Sequence, residues 1–380
     1  MKRSSAEVLS SWQAGYRCAV SFSPSSDAIK DINLIRDEIN HALGQFIKDE
    51  NRDLARIGSD LDPVSEHLEK FLLDSGKRLR PIFAYIGYLG AAKNPSPEMI
   101  TAFASLELVH VCALIHDDVM DGSDTRRGAP AIHRSFEKLH KERKLSGSAE
   151  QFGISAAILL GDLALIWSDQ MLHNAGLSDQ QLINGLKIYD EMRVELMAGQ
   201  YLDVYEQALA SQSVDRALKV ARFKSGKYTI ERPLHFGAAI AGSHPSLEKL
   251  YSDYGIPLGE AFQLRDDLLG VFGDSAETGK PSGDDLREGK RTVLLAIAAE
   301  NADKVQRELF EKYIGQPDLS ADQISTLQEA IIKSGAVTKV EAMITELTDQ
   351  ALTALTHSGL SPLGKNLLTA MASIATKRST

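Results

Sequence analysis

A helical spacing of apolar residues runs through almost the whole chain from residue 28 onward and limits the possible folds. Ile32, Ile35, Ile39 and Leu43 recur three or four residues apart, which is the pattern of a helix with one buried face. Runs that alternate apolar and polar residues between hairpin turns, the pattern of a sheet, do not occur. The sequence therefore predicts an all-α fold, a single large helical bundle. The predicted helices include 98–118, 152–176, 178–209, 215–241, 246–272 and 292–313.

Three stretches are predicted to differ from the bundle. Residues 1–27 are rich in serine, and we expect a flexible N-terminal arm there, with an organelle-targeting leader as the alternative. Residues 28–380 are expected to form one domain. The charged, Ser- and Gly-containing stretch 137–151 predicts a surface loop. The polar stretch 273–291 lies between two apolar helices, and we interpret it as either a connector or a lid that closes over an anion.

The composition excludes several classes of protein. The formal net charge of the 380 residues is −10, whereas a nucleic-acid-binding protein would show a basic face. Two cysteines cannot build a disulfide framework or a four-cysteine metal site. No uninterrupted apolar run reaches the roughly 18 residues of a membrane span, so no span is predicted. We expect a cytoplasmic enzyme or assembly subunit.

The densest group of carboxylates follows a strongly apolar stretch. Asp117 and Asp121 are four residues apart and share one helix face, with Asp118 beside them. Three carboxylates within one turn repel each other unless a cation lies between them, and oxygen ligands favour Mg²⁺ completed by substrate phosphates. Arg126 and Arg127 follow at a distance that suits phosphate oxygens. A solvated acidic helix end is the alternative, but the core-like helix before it argues against that interpretation.

A second acidic pair, Asp266 and Asp267, ends another apolar helix. If both acidic groups lie at one end of an apolar cavity, they can hold several Mg²⁺ ions and a diphosphate, while the cavity accepts a hydrocarbon tail. Several basic residues accompany these acidic groups, although each one alone is typical of a solvated surface cation. They are Lys77, Arg78, Arg80, Lys224, Lys227, Lys280 and Lys290.

Six motifs in this order resemble those of the trans-isoprenyl diphosphate synthases. The motifs are GKRLRP (76–81), LVHVCALIHDDVMDGSDTRRG (108–128), GDLALIWSDQ (161–170), FKSG (223–226), FQLRDD (262–267) and GKPSGDDLREGKRT (279–292). The resemblance covers roughly residues 65–300 and is greatest to the geranylgeranyl diphosphate synthases. It implies an isoprenoid-synthase-type bundle around a deep apolar central cavity, with residues 28–380 as the catalytic domain of a homodimer.

The resemblance also implies a role for individual residues. Two or three Mg²⁺ ions, with Mn²⁺ as a substitute, would be bound by Asp117, Asp118, Asp121, Asp266 and Asp267. The allylic diphosphate would contact Arg126, Lys224, Ser225, Gln263, Lys280 and Lys290. Isopentenyl diphosphate would contact Lys77, Arg80, His110 and Arg127. The catalytic set would be Asp117, Asp118, Arg126, Lys224 and Asp266.

One departure from the family pattern and one pocket bear on the details. Gly270 stands where the second motif usually has its third aspartate, and we expect either compensation by Asp274 or Asp284 or looser binding of one Mg²⁺. In the family, bulky residues shortly before the first aspartate stop chain growth. The small residues of this chain predict a C20 product, geranylgeranyl diphosphate, with a C25 or longer product and C15 farnesyl diphosphate as alternatives. The chain-length pocket would consist of Val109, Cys112 and Ala113.

Two other functions are compatible with an all-α chain that carries an aspartate motif. A class I terpene cyclase would carry a second metal motif of a different pattern and would lack GKRLRP and FKSG. A non-catalytic subunit of a heteromeric prenyl synthase would have lost more of the motif aspartates. Both functions are therefore weaker interpretations than a catalytically active synthase.

Overall fold

The computed structural model describes residues 25–74, 76–91, 94–274 and 282–377. Most of the predicted N-terminal arm and Lys280 lie outside the described residues. Within the described residues the fold is helical, apart from a two-residue antiparallel pairing of β1 (Thr125–Arg126) with β2 (Ala129–Pro130). The predicted all-α class is therefore confirmed, and the first helix begins at Ser26, close to the expected start of the bundle.

The helices follow one another in the following order. They are α1 (Ser26–Ile57), α2 (Asp62–Leu73), α3 (Leu79–Ala91), α4 (Pro97–Asp121), α5 (Ile132–Glu142), α6 (Ala149–His173), α7 (Asp179–Ala208), α8 (Val214–Val220), α9 (Arg232–Ile240), α10 (Pro245–Phe272), α11 (Asp284–Glu288), α12 (Val293–Asn301), α13 (Lys304–Tyr313), α14 (Ala321–Lys333), α15 (Ala336–Thr356) and α16 (Pro362–Thr376). A 3₁₀ turn at Ser59–Leu61 precedes α2, and a π-helical segment at Ala221–Glu231 joins α8 directly to α9.

The predicted loop at 137–151 is wrong for most of its length. Helix α5 continues to Glu142 and α6 already begins at Ala149. The charged residues that suggested a loop form ion pairs one helical turn apart, with Lys141 Nζ 2.6 Å from Glu137 Oε1. Such pairs stabilise an exposed helix face, while Phe136 packs into the core from the other face.

The predicted single helix over 292–313 is also wrong, because the structure divides it into α12 and α13. The side chain of Asp303 accepts a hydrogen bond from the backbone N–H of Gln306 at 2.8 Å, and the Gln306 side chain accepts one from the Asp303 N–H at 2.9 Å. This reciprocal capping starts a new helix. The apolar spacing continues across the break, so the spacing alone could not locate it.

Helix α4 lies at the centre of the bundle, where it packs against α1, α3 and α6. Helices α4 and α6 are both long and apolar enough to span a bilayer by length and composition alone. This is weak evidence for a span, because a core helix of a soluble protein has the same properties. In α4 most of the apolar stretch is buried inside the protein, whereas only 28% of that of α6 is buried.

A buried ion pair ties the turn before α3 to the middle of α4. Arg78 has a left-handed backbone (φ 52°), and its guanidinium lies 2.8 Å from the carboxylate of Glu107 (Nη1 to Oε1), with both side chains at most 3% exposed. The same guanidinium donates hydrogen bonds to Asn40 Oδ1 at 2.9 Å and to the Leu72 carbonyl at 2.6 Å. The turn that carries GKRLRP is therefore held in place by a buried ion pair and its hydrogen bonds.

We expect Glu107→Ala to lower the free energy of unfolding by about 3–5 kcal/mol, because it leaves the Arg78 guanidinium buried without its counter-ion. Urea denaturation followed by circular dichroism measures the loss. Asp253→Ala is the matched control, since it breaks the exposed pair with Lys249 and should cost at most about 1 kcal/mol. Equal losses in the two variants would contradict this prediction.

Candidate active site

The first aspartate cluster lies at the C-terminal end of α4. Gly122 ends the helix with φ 68°, and the short β1–β2 hairpin returns Arg126 to the helix end. The guanidinium of Arg126 binds Asp118 through two nitrogen atoms, with Nε 2.9 Å from Oδ1. Asp118 is 1% exposed, so the burial of this carboxylate depends on the bidentate cation.

Lys224 and Ser225 lie in the π-helical segment, and glycines hold this segment close to its neighbours. A Cβ atom at Gly199 of α7 would lie 2.4 Å from the backbone nitrogen of Lys224. A Cβ atom at Gly259 of α10 would lie 2.4 Å from the Cα of Gly226. Backbones can approach this closely only without side chains. Widened π turns occur frequently at functional sites, and here the widened segment contains the FKSG motif.

The ammonium group of Lys224 bridges two carboxylates. Its Nζ lies 3.0 Å from Asp117 Oδ1 and 2.6 Å from Asp203 Oδ2. Burial alone would raise the pKa of Asp117, but the charges of Lys224, Lys290 and Arg126 outweigh burial and lower it. Asp117 is therefore ionised throughout the physiological range. Asp203 was not identified from the sequence, and only the tertiary packing of α7 places it beside Lys224.

The second cluster lies on α10, where Asp267 is buried and Asp266 is half-buried. Asp267 accepts hydrogen bonds from Gln263 Nε2 at 2.9 Å and from the Val293 N–H at 3.3 Å. Burial, together with the charges of Asp285 and Asp266, raises the pKa of Asp267 to about 8. Gln263, which the resemblance assigned to the allylic diphosphate, thus contacts the second cluster directly.

Lys290 connects the polar stretch before α12 to the first cluster. Its Nζ lies 3.0 Å from Asp121 Oδ2 and 3.0 Å from Glu288 Oε2. The Ser123 hydroxyl donates a hydrogen bond to Glu288 Oε1 at 2.5 Å. The described end of the 273–291 stretch therefore lies against the end of α4, which is the position that the lid interpretation requires.

The grouped carboxylates fit a divalent cation in their charge, although not as a preformed coordination shell. Within the described ranges, no three acidic, histidine or cysteine side chains converge as metal ligands. Each aspartate of the first cluster is instead paired with Arg126, Lys224 or Lys290. Burial raises the pKa of Asp121. The positive charge of Lys290 lowers this pKa, and the negative charge of Asp117 raises it. A bound cation would relieve this repulsion between like charges.

A separate cationic pocket surrounds His110. Burial lowers the pKa of His110, and the charges of Arg80 and Arg127 lower it further, so the imidazole is neutral. Arg80 donates to Thr229 Oγ1 at 2.9 Å, and its guanidinium lies 4.1 Å from the centre of the Tyr228 ring. Arg127 Nη1 donates to the Asp74 carbonyl at 3.1 Å.

Several polar atoms of this pocket have no hydrogen-bond partner in the part of the chain that the structure describes. They are Arg80 Nε, His110 Nδ1, Glu107 Oε2 and the Tyr228 hydroxyl. Buried groups in this state are rare and need a ligand or water. Lys77 lies at the exposed side of the same turn. The structure thus brings Arg80, His110 and Arg127 together and adds Tyr228, which the sequence did not single out.

Three residues were predicted to form the chain-length pocket, and they do not share one face. Val109 and Ala113 lie on the face of α4 that carries Asp117 and pack in one apolar cluster with Phe103. Cys112 packs in a different core cluster, with its sulfur 3.7 Å from His116 Nδ1. Burial raises the pKa of Cys112 to about 12, in agreement with its interpretation as a packing residue rather than a reactive thiol.

The place of the missing third aspartate is occupied from another helix. A Cβ atom at Gly270 would lie 2.0 Å from Asp285 Oδ2 and 2.4 Å from Asp285 Cγ. The structure places Asp285 of α11 there, rather than Asp274 or Asp284. Asp285 lies within the motif GKPSGDDLREGKRT but was not singled out from the sequence, because its distance along the chain does not show how α11 docks onto α10.

Comparison with known proteins gives a consistent result. The polyprenyl synthetase family profile matches residues 62–331. The geranylfarnesyl diphosphate synthase of Aeropyrum pernix is 33% identical over 287 residues, which are 74% of this chain and 82% of that protein. The octaprenyl diphosphate synthase of Escherichia coli is 28% identical over 307 residues, 80% of this chain and 86% of that protein.

A solved structure covers still more of the chain. The geranylgeranyl pyrophosphate synthase of Corynebacterium glutamicum, complexed with isoprenyl diphosphate and magnesium, has a TM-score of 0.87 and 42% sequence identity. The match covers 91% of this chain and 98% of that one.

Proposed function

The chain belongs to the polyprenyl synthetase family of prenyltransferases, and on that premise we propose that it joins isopentenyl diphosphate to allylic diphosphates, with geranylgeranyl diphosphate as its main product. The observation that carries this proposal is the presence of two neighbouring polar sites of different charge. One contains carboxylates paired with Lys224 and Lys290. The other is a cationic pocket around His110 with buried donors that have no partner among the described residues.

The allylic diphosphate would bind between the two aspartate clusters. The motif aspartates would hold Mg²⁺ there, namely Asp117, Asp118, Asp121, Asp266 and Asp267. The Corynebacterium glutamicum structure, which is complexed with magnesium, supports the choice of this ion. When bound with the diphosphate, Mg²⁺ neutralises negative charge and so favours departure of pyrophosphate. Lys224 and Lys290 already lie within 3.0 Å of Asp117 and Asp121, and they would turn from these carboxylates to the diphosphate oxygens.

The chemistry then needs no nucleophilic side chain. The C–O bond of the allylic diphosphate breaks with both electrons going to pyrophosphate, and Arg126, Lys224 and Lys290 stabilise the charge that develops there. The double bond of isopentenyl diphosphate attacks the allylic cation and forms the new C–C bond. Loss of a proton to the departing pyrophosphate restores a double bond. Apolar walls exclude water that would otherwise capture the cation.

Isopentenyl diphosphate would bind in the cationic pocket. Arg80 and Arg127 supply charge, and neutral His110 supplies a ring nitrogen that has no partner in the described structure. The cation–π contact with Tyr228 orients the Arg80 guanidinium, and the buried Arg78–Glu107 pair fixes the turn that carries Arg80 and Lys77. This site holds the second substrate beside the place where the allylic cation forms.

The C20 length follows from the face of α4 behind Asp117. Ala113, Val109 and Phe103 follow one another toward the helix start, and Phe103 lies about 21 Å from Asp117 along the axis. There its ring meets Phe236 at 6.2 Å and Tyr88 at 5.9 Å between ring centres. We infer that a tail passes the small residues and stops at these rings. The relatives named for C25 and C40 products make a longer product the alternative.

A product assay tests the function. We expect labelled isopentenyl diphosphate and Mg²⁺ to give a C20 product, sized by chromatography after dephosphorylation, from C5, C10 or C15 starters in separate reactions. Asp117→Ala should lower the turnover by about two orders of magnitude or more, because it removes charge from the ionisation site. Asp253→Ala, on the exposed part of α10, is the control and should retain activity. No elongation from any starter would refute the function and favour an inactive subunit.

The product length can be tested with two variants one residue apart. Ala113→Phe should shorten the main product to C15, because it places a ring on the face that Val109 and Asp117 share. Cys112→Ala is the matched control and should leave the C20 product unchanged, because Cys112 packs in the other core cluster. If Cys112→Ala changes the length and Ala113→Phe does not, the assignment of the tail to this face is wrong.

We also propose that the enzyme is a homodimer that buries the apolar faces of α6 and α7. Leu159, Ile166, Val194 and Tyr201 are each at least 60% exposed, and large apolar side chains exposed together on two helices are typical of an interface. Val194→Glu should reduce the sedimenting particle to one chain. The control Val305→Glu changes an equally exposed valine on α13 and should not. A wild-type protein that sediments as a single chain would contradict the dimer.

A further inference from the structure

The second aspartate cluster has a carboxylate where the sequence has none. Gly270 follows Asp266 by four residues on α10 and therefore shares its face. Asp285 lies so close that its carboxylate carbon would be 2.4 Å from a Cβ at position 270. That carboxylate thus fills the space into which an aspartate at 270 would extend.

The position of Asp285 is fixed by its short helix. Gly283 and Gly289 flank α11 with left-handed φ angles of 73° and 69°, and Leu286 is completely buried. The Gly315 N–H donates a hydrogen bond to the Leu286 carbonyl at 2.8 Å. Because burial and backbone bonds both hold this turn, the Asp285 carboxylate is held against α10.

The surrounding charges place Asp285 within the same electrostatic site as the first cluster. Lys290 Nζ is 4.0 Å from Asp285 Oδ1 and 3.0 Å from Asp121 Oδ2. One ammonium group therefore reaches carboxylates from both sides of the proposed diphosphate site. If Lys290 turns toward a diphosphate, its positive charge moves away from Asp121 and Asp285, and a divalent cation can replace it beside these carboxylates.

We propose that Asp285 supplies the third carboxylate of the second cluster and that Gly270 is the residue that makes room for it. Asp266 and Asp285 together bind a divalent cation that enters with the diphosphate. Position 270 carries no carboxylate and position 285 carries one, so the third carboxylate of the cluster comes from α11 instead of α10. This inference rests on the proposed function, since it concerns the cation of that same site.

The test measures cation binding directly, by electron paramagnetic resonance titration of the full chain with Mn²⁺ in the presence of inorganic pyrophosphate. Asp285→Asn keeps the shape of the side chain and removes its charge, and we expect it to weaken Mn²⁺ binding about tenfold or more. Asp284→Asn, one residue away, is the matched control and should bind as the wild type does. Unchanged binding in Asp285→Asn would overturn the inference.

Variants that move the carboxylate from position 285 to position 270 distinguish a metal ligand from a residue with only a structural role. Gly270→Asp alone should weaken Mn²⁺ binding and lower the melting temperature, because two carboxylates would occupy one space. The double variant Gly270→Asp with Asp285→Ala should recover most of the binding that Asp285→Ala loses. Failure to recover in a double variant with wild-type circular dichroism would refute the exchange. A wild-type chain that binds no Mn²⁺ with pyrophosphate would instead refute the proposed function itself.

Discussion

Buried charge at one end of an apolar bundle is the constraint on which the rest of this structure depends. Carboxylates at the ends of α4 and α10 could not be buried together without cations. The bundle supplies these cations from three places, namely the β1–β2 hairpin, the π-helical segment and the stretch before α12. The lengths of the helices, the widened turn and the short α11 all serve to bring these charges within ion-pair distance.

The two polar sites differ in how their charges are balanced. Around Asp117 and Asp121 the charges of opposite sign are already paired, so a diphosphate has to replace carboxylates as the partner of the lysines. Around His110, arginines outnumber carboxylates, and several buried donors have no partner among the described residues. On the proposed function, the second site is ready for an anion, whereas the first accepts one together with a metal ion.

The parts of the fold that follow from local physics could be predicted from the sequence. The apolar spacing predicted α4, α6, α7 and α10 closely, because each has a face that must be buried. The spacing did not show that charged residues continue α5, because ion pairs between neighbouring turns stabilise the exposed face of this helix. It also missed the break between α12 and α13, since the apolar pattern continues unchanged across Asp303.

The site residues that belong to short motifs could be predicted from the sequence. Asp117, Arg126, Lys224 and Lys290 come together as the order of the motifs implied. Asp203 and Tyr228 lie outside the motifs, and Asp285 lies inside a motif but was not singled out. Only the packing of α7, the π-helical segment and α11 places these three residues in the site. The assignment of Cys112 to the pocket rested on the family pattern of residues shortly before the first aspartate. Five residues along a helix place Cys112 on a different face from Asp117.

The glycine contacts around the π-helical segment have a consequence for how such a protein can change over evolutionary time. Gly199 and Gly259 bring neighbouring backbone against the segment that carries Lys224, so no side chain there can be enlarged without moving the lysine. The face of α4 behind Asp117 is bounded by side chains, which can be exchanged one at a time. On the proposed function, selection can therefore alter the length of the product while the residues that assist cleavage of the diphosphate stay the same.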